Sequence, residues 1–262
     1  MKRMQLVELE DLPWFPAILR DGGTAYLELV VRVSGHAARL APTVQRALAA
    51  SGATRIVDLC SGGGGPTGVV SEALAAAGSP VEMVLSDRYP NTASLASTAA
   101  RSGGRITVSP TPIDAAHVPA DLTGLRTLYN AFHHFPPEAA RTILADAVAA
   151  RQPIAVFEVV SREPLMLVAL LFSPVSVTLT LPFWRPFRWP WLLWTWAIPV
   201  MQLFVLWDGL VSWLRIYDVE ELRALVATIP SPDWEWEVGT IKLGDAPAHA
   251  TYLVGRPITP VA

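Results

Sequence analysis

The spacing of apolar positions changes along the chain and separates an N-terminal helical part from an α/β part. Residues 24–34 and 37–50 carry apolar side chains on one side of a helix. From Arg55 onward, short apolar runs alternate with helical stretches, which is typical of a parallel sheet with helical crossovers. The pattern predicts an N-terminal helical extension over 1–50 and an α/β domain that begins at residue 51.

The α/β part predicts a sheet of about seven strands with helices on both faces. The last two strands, "WEWEVGTIKL" and "HATYLVGR", are expected to pair as a hairpin. Before them, Asp218 and Glu221 form a capping box at the start of a helix. The first five predicted strands cover 55–60, 81–87, 105–110, 125–130 and 153–160.

Residues 164–213 interrupt this α/β pattern with an apolar, tryptophan-rich insertion. It contains two charge-free runs of 20 and 19 residues, "LMLVALLFSPVSVTLTLPFW" and "WPWLLWTWAIPVMQLFVLW", joined by "RPFR". Each run is long enough to cross a hydrocarbon core of ~30 Å as a helix. The insertion divides the predicted α/β domain into 51–163 and 214–262.

Three arrangements of the insertion are open. A spanning hairpin would place Arg185 and Arg188 on the far side of the membrane, against the positive-inside tendency. A hairpin within one leaflet would keep these arginines and the tryptophans at headgroup level. A lid over the active site would bury the runs against protein. Helices that are apolar all round must be buried in something, and the domain has little interior to spare. The sequence therefore favours shallow membrane association, with the lid as the alternative.

Composition and charge narrow the function classes. Asp plus Glu outnumber Lys plus Arg by 23 to 20 and there is no basic run, so we expect no nucleic-acid partner. Cys60 is the only cysteine, which excludes an internal disulfide and a Cys-rich metal site, and we expect no metal. The N-terminus "MKRMQLVELEDLPW" lacks the apolar core of a signal peptide, so we expect a cytoplasmic, membrane-associated protein.

The glycine-rich stretch "RIVDLCSGGGGPTG", residues 55–68, carries the strongest functional signal. A glycine-rich turn between a strand and a helix lets a ligand approach the main chain and presents free amides. One alignment, Gly63-x-Gly65-x-x-Gly68, matches the dinucleotide fingerprint. Asp58 at the strand end would repel the pyrophosphate of a dinucleotide, which counts against this alignment. An NAD(P)-dependent oxidoreductase is therefore kept as the alternative interpretation.

Read from that acid, Asp58-Leu59-Cys60-Ser61-Gly62-Gly63-Gly64 resembles the first motif of the class I S-adenosylmethionine-dependent methyltransferases, an acid followed by Gly-x-Gly-x-Gly. The resemblance implies a Rossmann-like sheet with an antiparallel terminal strand and S-adenosylmethionine as cofactor. Cys60 stands at the first glycine of the motif, where we expect a less tight turn. The residues of this motif that we predict to bind the cofactor are Asp58, Cys60, Ser61, Gly62 and Gly64.

Further cofactor residues follow from the same resemblance. Asp87 ends the second strand, where the family has an acid that holds the ribose hydroxyls. The adjacent Arg88 is also predicted to contact the cofactor. Asp114 and Ala115 follow the third strand and are expected near the adenine. Asn130 ends the fourth strand and is expected near the methionine end of the cofactor.

Two residues are candidates for catalysis. "LYNAFHHFPPEAARTIL" resembles the "LHHL" segment of the family, and in small-molecule O-methyltransferases a histidine at the place of His133 removes a proton from the substrate. Glu158 ends the fifth strand and is expected either to orient an imidazole or bind substrate, or to pair with Arg162 or Arg88. His134 is expected to be structural.

These features predict methyl transfer to an oxygen, nitrogen or carbon of a lipophilic small molecule or lipid at a membrane surface. The apolar insertion follows the fifth strand, where the family has its acceptor site, so it is expected to supply a hydrophobic pocket. A quinone, isoprenoid, polyketide or lipid headgroup would fit such a pocket. A catalytically inactive, membrane-associated binding module is the third interpretation, and the oligomeric state stays open.

Overall fold

The computed structural model describes residues 3–244 and 248–258, and its centre is one sheet of seven strands. The strand order is β3-β2-β1-β4-β5-β7-β6. Strands β1 to β5 are parallel to one another, whereas β7 pairs antiparallel with both β5 and β6. The strands are β1 Arg55–Asp58, β2 Glu82–Leu85, β3 Ile106–Val108, β4 Leu125–Tyr129, β5 Ile154–Glu158, β6 Trp234–Lys242 and β7 His249–Pro257.

Helices cover both faces of the sheet, as predicted. One buried apolar cluster joins the sheet to the helices around α2 and α3, and a second joins it to α5 and α10. Every residue of β4 and β5 is buried, including Arg126 and Thr127, as expected for parallel strands that are covered on both faces. The helices of this part are α2 Ala41–Ser51, α3 Gly65–Ala76, α4 Thr92–Arg101, α5 Pro137–Ala149 and α10 Val219–Ala227.

The first helix of the N-terminal extension, α1, is longer than its apolar pattern predicts. It covers Ala17–Ser34 rather than 24–34. Gly22 and Gly23 lower helix propensity at its start, but both are buried against the insertion. A Cβ at Gly23 would lie 2.7 Å from Cε1 of Phe204. The two glycines allow the insertion to pack closely against this part of the helix.

The two apolar runs of the insertion are broken into short helices instead of two long ones. Among the described residues, no single helix has both the length and the apolar composition to cross a membrane. Two pairs of consecutive helices have the required length and composition when each pair is taken together, but each pair is bent. The bends are 46° and 80°. The helices are α6 Pro164–Leu171, α7 Ser173–Thr180, α8 Pro190–Leu192, which continues as a π-helical turn at Leu193–Ala197, and α9 Val200–Arg215.

The insertion packs on the N-terminal extension rather than on the sheet. Together they form a third apolar cluster, which is centred on two fully buried tryptophans, Trp184 and Trp191. Trp191 donates from Nε1 to the carbonyl of Ile18. The outer side of the insertion keeps large apolar side chains exposed, including Trp189 at 76% and Leu179 at 68%.

Candidate functional site

The loop after β1 lies where the strand order reverses, because β1 is flanked by β2 on one side and β4 on the other. In open α/β sheets, ligands bind at the carboxyl ends of the strands at this reversal. Cys60, Gly62 and Gly64 have φ values of 57°, 55° and 75°. The loop therefore places every second residue in the left-handed region.

The expectation of a less tight turn at Cys60 is wrong. Cys60 adopts the left-handed conformation that the motif assigns to glycine, although this costs a residue with a Cβ about 1–2 kcal/mol. Its side chain packs against the apolar cluster that includes Leu59 and Ala115. Burial, followed by the negative fields of three nearby carboxylates, raises the pKa of the Cys60 thiol. The thiol is therefore a neutral packing group in this loop.

Asp58 organises the loop from inside. Its carboxylate is buried and accepts hydrogen bonds from Thr127 Oγ1 at 2.9 Å, Ser61 Oγ at 2.7 Å and Thr67 Oγ1 at 2.5 Å. These contacts tie the loop to β4 and to α3. Burial raises the pKa of Asp58 to about 6, with the three hydroxyls acting in the opposite direction.

The consecutive glycines have different roles. A Cβ at Gly63 would lie 2.7 Å from Thr24 Cγ2, and one at Gly64 would lie 2.8 Å from Leu85 Cδ1. These two glycines are required for packing against α1 and β2. A Cβ at Gly62 would meet no atom within 4 Å. Gly62 alone of these three borders open space.

Asp87 lies beside Gly62 at the same sheet edge, as the sequence predicts for the ends of two parallel strands. Its Oδ2 accepts from the main-chain N of Gly62 at 2.9 Å, and its Oδ1 accepts from the main-chain N of Tyr89 at 2.7 Å. Each carboxylate oxygen keeps a further lone pair for a ligand donor. The contact fixes the acid and the open glycine as one unit.

Arg88 and Asp114 form an ion pair on the rim of the same edge, with 3.4 Å between Arg88 Nη1 and Asp114 Oδ2. The other oxygen of Asp114 accepts from the main-chain N of Ala116 at 2.9 Å. Ala115, which follows Asp114 in the chain, is buried and belongs to the apolar cluster under the loop. The structure thus brings the predicted adenine-side residues to the loop that follows β3.

Asn130 closes the end of β4. It has a φ of 50°, and its Oδ1 accepts from the main-chain N of Val159 at 2.7 Å. This hydrogen bond connects the carboxyl ends of β4 and β5. All ten predicted cofactor residues lie on β1 or on segments at the carboxyl ends of β1, β2, β3 and β4.

Glu158 orients His133, which is the first of the alternatives that the sequence left open. Glu158 Oε1 accepts from the main-chain N of His133 at 2.9 Å, and its Oε2 lies 2.8 Å from His133 Nδ1. Arg162 donates to Asp218 at 2.7 Å. A carboxylate accepts from Nδ1–H, so the remaining lone pair of a neutral ring is on Nε2.

No sequence pattern indicated Glu8, which contacts this histidine from the N-terminal segment. Glu8 is buried, and its Oε1 lies 3.7 Å from His133 Nε2. Arg215, also buried, lies 3.3 Å from the same oxygen. His133 is only 3% exposed. In this conformation, residues 3–11 separate the histidine from solvent, and access to Nε2 requires this segment to move.

His134 is held by carboxylates on its solvent side and not behind the strand. Its Nδ1 lies 2.9 Å from Asp11 Oδ1. Burial alone would lower the pKa of His134, but Glu8, Asp11 and Glu10 together raise it to about 9. His134 is therefore charged at neutral pH and anchors the N-terminal segment, which fits the structural role predicted for it.

Comparison with known proteins bears on the fold. No protein-family model matches the sequence, and no curated protein matches it. The solved structure of the plantazolicin methyltransferase BpumL in complex with SAH superposes with a TM-score of 0.55 at 11% identity, over 92% of this chain and 95% of that one. The pyocyanin biosynthetic protein PhzM superposes with a TM-score of 0.51 at 18% identity, over 87% of this chain and 56% of that one.

The chain has the class I methyltransferase fold. The seven-stranded sheet with its antiparallel β7 agrees with the architecture expected from the motif. At these identities the likeness establishes the fold alone. Within the class I methyltransferase fold, the candidate site is the edge formed by the Gly62 loop, Asp87 and the ends of β3 and β4.

Proposed function

We propose that this protein transfers a methyl group from S-adenosylmethionine to a lipophilic small molecule or lipid. One observation carries the cofactor assignment: Gly62 borders open space while Asp87 is fixed beside it at the reversal of the strand order. The open glycine supplies room against the main chain, and the acid supplies acceptors for a ribose diol. The similar plantazolicin methyltransferase was solved with SAH, which supports the same assignment here.

The charge at this edge favours a sulfonium cofactor over a dinucleotide. The carboxylates of Asp58, Asp87 and Asp114 all act on Cys60 in the middle of the loop. A pyrophosphate would be repelled by this field, whereas the sulfonium and α-amine of S-adenosylmethionine would be attracted. When bound, the cofactor supplies the electrophilic methyl group. The residues of this chain hold it and exclude water.

The catalytic assignment follows the same geometry. Glu158 fixes the ring of His133 with Nε2 as the basic nitrogen. We propose that His133 accepts the proton of the acceptor at Nε2 after residues 3–11 move aside, since Glu8 faces that nitrogen at 3.7 Å in the present conformation. Glu158 then stabilises the imidazolium.

Two features support a lipophilic acceptor. An apolar groove of about 440 Å³ lies between α9 and the segment around Leu9, wide enough for an alkyl or isoprenoid chain. Most of the large apolar side chains that the described residues leave exposed also belong to the insertion, where they form a candidate contact surface. The groove is lined by Leu9, Phe15, Val200, Leu203, Phe204, Leu206, Trp207 and Leu210.

We further propose that the insertion binds a membrane surface without crossing it. Trp189 is 76% exposed and Phe183 is 64% exposed, and between them lie Arg185 and Arg188. Aromatic rings beside arginines suit the headgroup region, where the rings sit in the interface and the guanidinium groups remain hydrated. This arrangement would deliver a lipophilic acceptor from the bilayer to the sheet edge.

The cofactor assignment is tested by calorimetric titration with S-adenosylhomocysteine. We expect the wild type to bind and Asp87→Asn to bind about 10–100-fold more weakly, because one charge-assisted hydrogen bond is lost. Asp121→Asn is the matched control, because Asp121 is an exposed loop acid before β4. NADH should give no heat. Absence of S-adenosylhomocysteine binding, or binding of NADH, would contradict the proposal.

The membrane proposal is tested by flotation with vesicles that contain anionic lipids. We expect wild-type protein to float and the double variant Phe183→Ser/Trp189→Ser to remain largely in the dense fraction. Tyr89→Ser is the control, because Tyr89 is an equally exposed aromatic residue, at 77%, on the methyltransferase part of the chain. Equal flotation of all three proteins would contradict the assignment of the insertion as the membrane contact.

A further inference from the structure

A buried cluster of carboxylates and imidazoles lies where residues 3–11 cross the turn after β4. It contains five carboxylates, two histidines and one arginine. Arg215 and His134 supply positive charge opposite Glu8 and Asp11. The members of this acid–histidine cluster are Glu8, Glu10, Asp11, Glu158, Asp208, His133, His134 and Arg215.

The second nitrogen of His133 is the feature of the cluster that points to a ligand. Glu158 Oε2 lies 2.8 Å from its Nδ1, and Nε2 is directed at Glu8. The 3.7 Å between Nε2 and Glu8 Oε1 is too long for a hydrogen bond. Within residues 3–244 and 248–258, no hydrogen bond reaches this nitrogen, although His133 is only 3% exposed. Nε2 and the Glu8 carboxylate thus face each other in a buried position without a hydrogen bond between them.

The spacing of the acceptors suits a shared metal ion. Besides the contact to His133, Glu8 Oε2 lies 3.6 Å from His134 Nδ1. The three ligand atoms all lie within 4.8 Å of one another. Ligands at about 2.0–2.1 Å from tetrahedral zinc are separated by about 3.3 Å. The two contacts of Glu8 exceed this separation by only about 0.3–0.4 Å, and an inward movement of the side chains would complete the site.

The surroundings of the three residues match those of metal ligands in other proteins. A metal-binding histidine usually donates its other ring N–H to a carboxylate, as His133 does to Glu158. Asp11, 2.9 Å from His134 Nδ1, is placed to take the fourth position once that proton is displaced. Arg215 neutralises part of the charge at Glu8 and Asp11.

We propose that His133 Nε2, His134 Nδ1 and the Glu8 carboxylate bind one divalent transition-metal ion such as Zn²⁺, which attaches residues 3–11 to the turn after β4. The nitrogen and oxygen donors suit zinc better than magnesium. A metal at Nε2 occupies the nitrogen that a general base would use. The ion therefore holds the histidine in a closed, inactive arrangement until the N-terminal segment is released.

The experiment is calorimetric titration of the metal-depleted full chain with ZnCl₂, with MgCl₂ in a separate run. We expect one Zn²⁺ per chain and no magnesium binding. Glu8→Gln and His134→Asn should each weaken zinc binding at least tenfold. His249→Asn is the matched control, because His249 pairs with Glu163 at 3.0 Å in a half-exposed site elsewhere. It should bind zinc like the wild type.

Zinc binding that is absent in the wild type, or that persists unchanged in Glu8→Gln and His134→Asn, would overturn the proposal. Glu8 is buried beside Arg215, so its variant is at risk of misfolding. His134 is partly exposed and provides the second variant, with S-adenosylhomocysteine binding as the check on its fold. The zinc result does not depend on turnover. Failure of the cofactor assignment would appear as lost S-adenosylhomocysteine binding with the zinc titration intact.

Discussion

The division of roles among the glycines predicts that two neighbouring substitutions have opposite signatures. Gly62→Ala adds a methyl group into open space, and Gly64→Ala adds one 2.8 Å from the buried Leu85. Both residues have positive φ, so both variants acquire about 1–2 kcal/mol of backbone strain. The lower entropy of the unfolded alanine chain offsets about 0.4–1 kcal/mol of this.

The two variants should differ in the free energy of unfolding, because only Gly64 is enclosed by other side chains. Overpacking against Leu85 adds about 1–3 kcal/mol, so Gly64→Ala should lower the free energy of unfolding by about 2–4 kcal/mol. Gly62→Ala should lower it by only about 1 kcal/mol. Its methyl group instead enters the proposed cofactor space, and an overlap of about 1–3 kcal/mol weakens binding about 10–100-fold.

Urea unfolding and calorimetric titration with S-adenosylhomocysteine measure the two quantities on the same proteins. Gly35→Ala is the control for strain alone, because Gly35 has a φ of 63°, meets no atom within 4 Å and lies at the end of α1. It should be destabilised like Gly62→Ala and bind like the wild type. If Gly62→Ala binds normally, or unfolds as easily as Gly64→Ala, the assignment of Gly62 to the ligand is refuted.

Two further predictions concern buried charge. Asp146→Ala should lower the free energy of unfolding by about 3 kcal/mol, because it leaves the buried guanidinium of Arg126 without its 2.7 Å partner. Glu220→Ala, which removes the exposed partner of Arg223, should change it by less than about 1 kcal/mol, and equal losses in urea unfolding would contradict this. The pKa of Asp58 is raised from 3.8 to about 6 in the folded state. Between these pH values the folded protein therefore binds a proton at Asp58 that the unfolded chain has released. The stability contributed by this group is therefore present below pH ~4 and lost as pH rises through ~6, and Asp58→Asn should lose that pH dependence relative to the wild type.

Much of the sheet and of the cofactor edge was predictable because it depends on local pattern and on chain order. Each observed strand lies within the predicted one, except that β7 extends one residue further, to Pro257. The pairing of Asp87 with Gly62 follows from the rule that adjacent parallel strands end at the same edge. The glycines themselves did not reveal which of them face a ligand. That distinction depends on Thr24 and Leu85, which reach the loop from other elements.

The N-terminal segment and the insertion were least predictable. The acids around Glu8 indicated only that the segment is not a signal peptide, whereas Glu8 contacts a histidine 125 residues further along the chain. The insertion was predicted to be helical, with two runs long enough to span a membrane, whereas the structure divides it into shorter helices that pack on the N-terminal extension.

The sequence by itself determined the α/β order, the strand edges and the identity of the loop that borders the candidate site, because these depend on periodicity and turn chemistry within short windows. Only the tertiary structure decided which side chains share the environment of His133 and which side of the insertion stays exposed. Those outcomes depend on contacts between segments more than 100 residues apart, and no local pattern encodes them. Helix α1 illustrates both levels, since its pattern predicts a helix over 24–34 and only the structure shows that it begins at Ala17 and packs on Phe204.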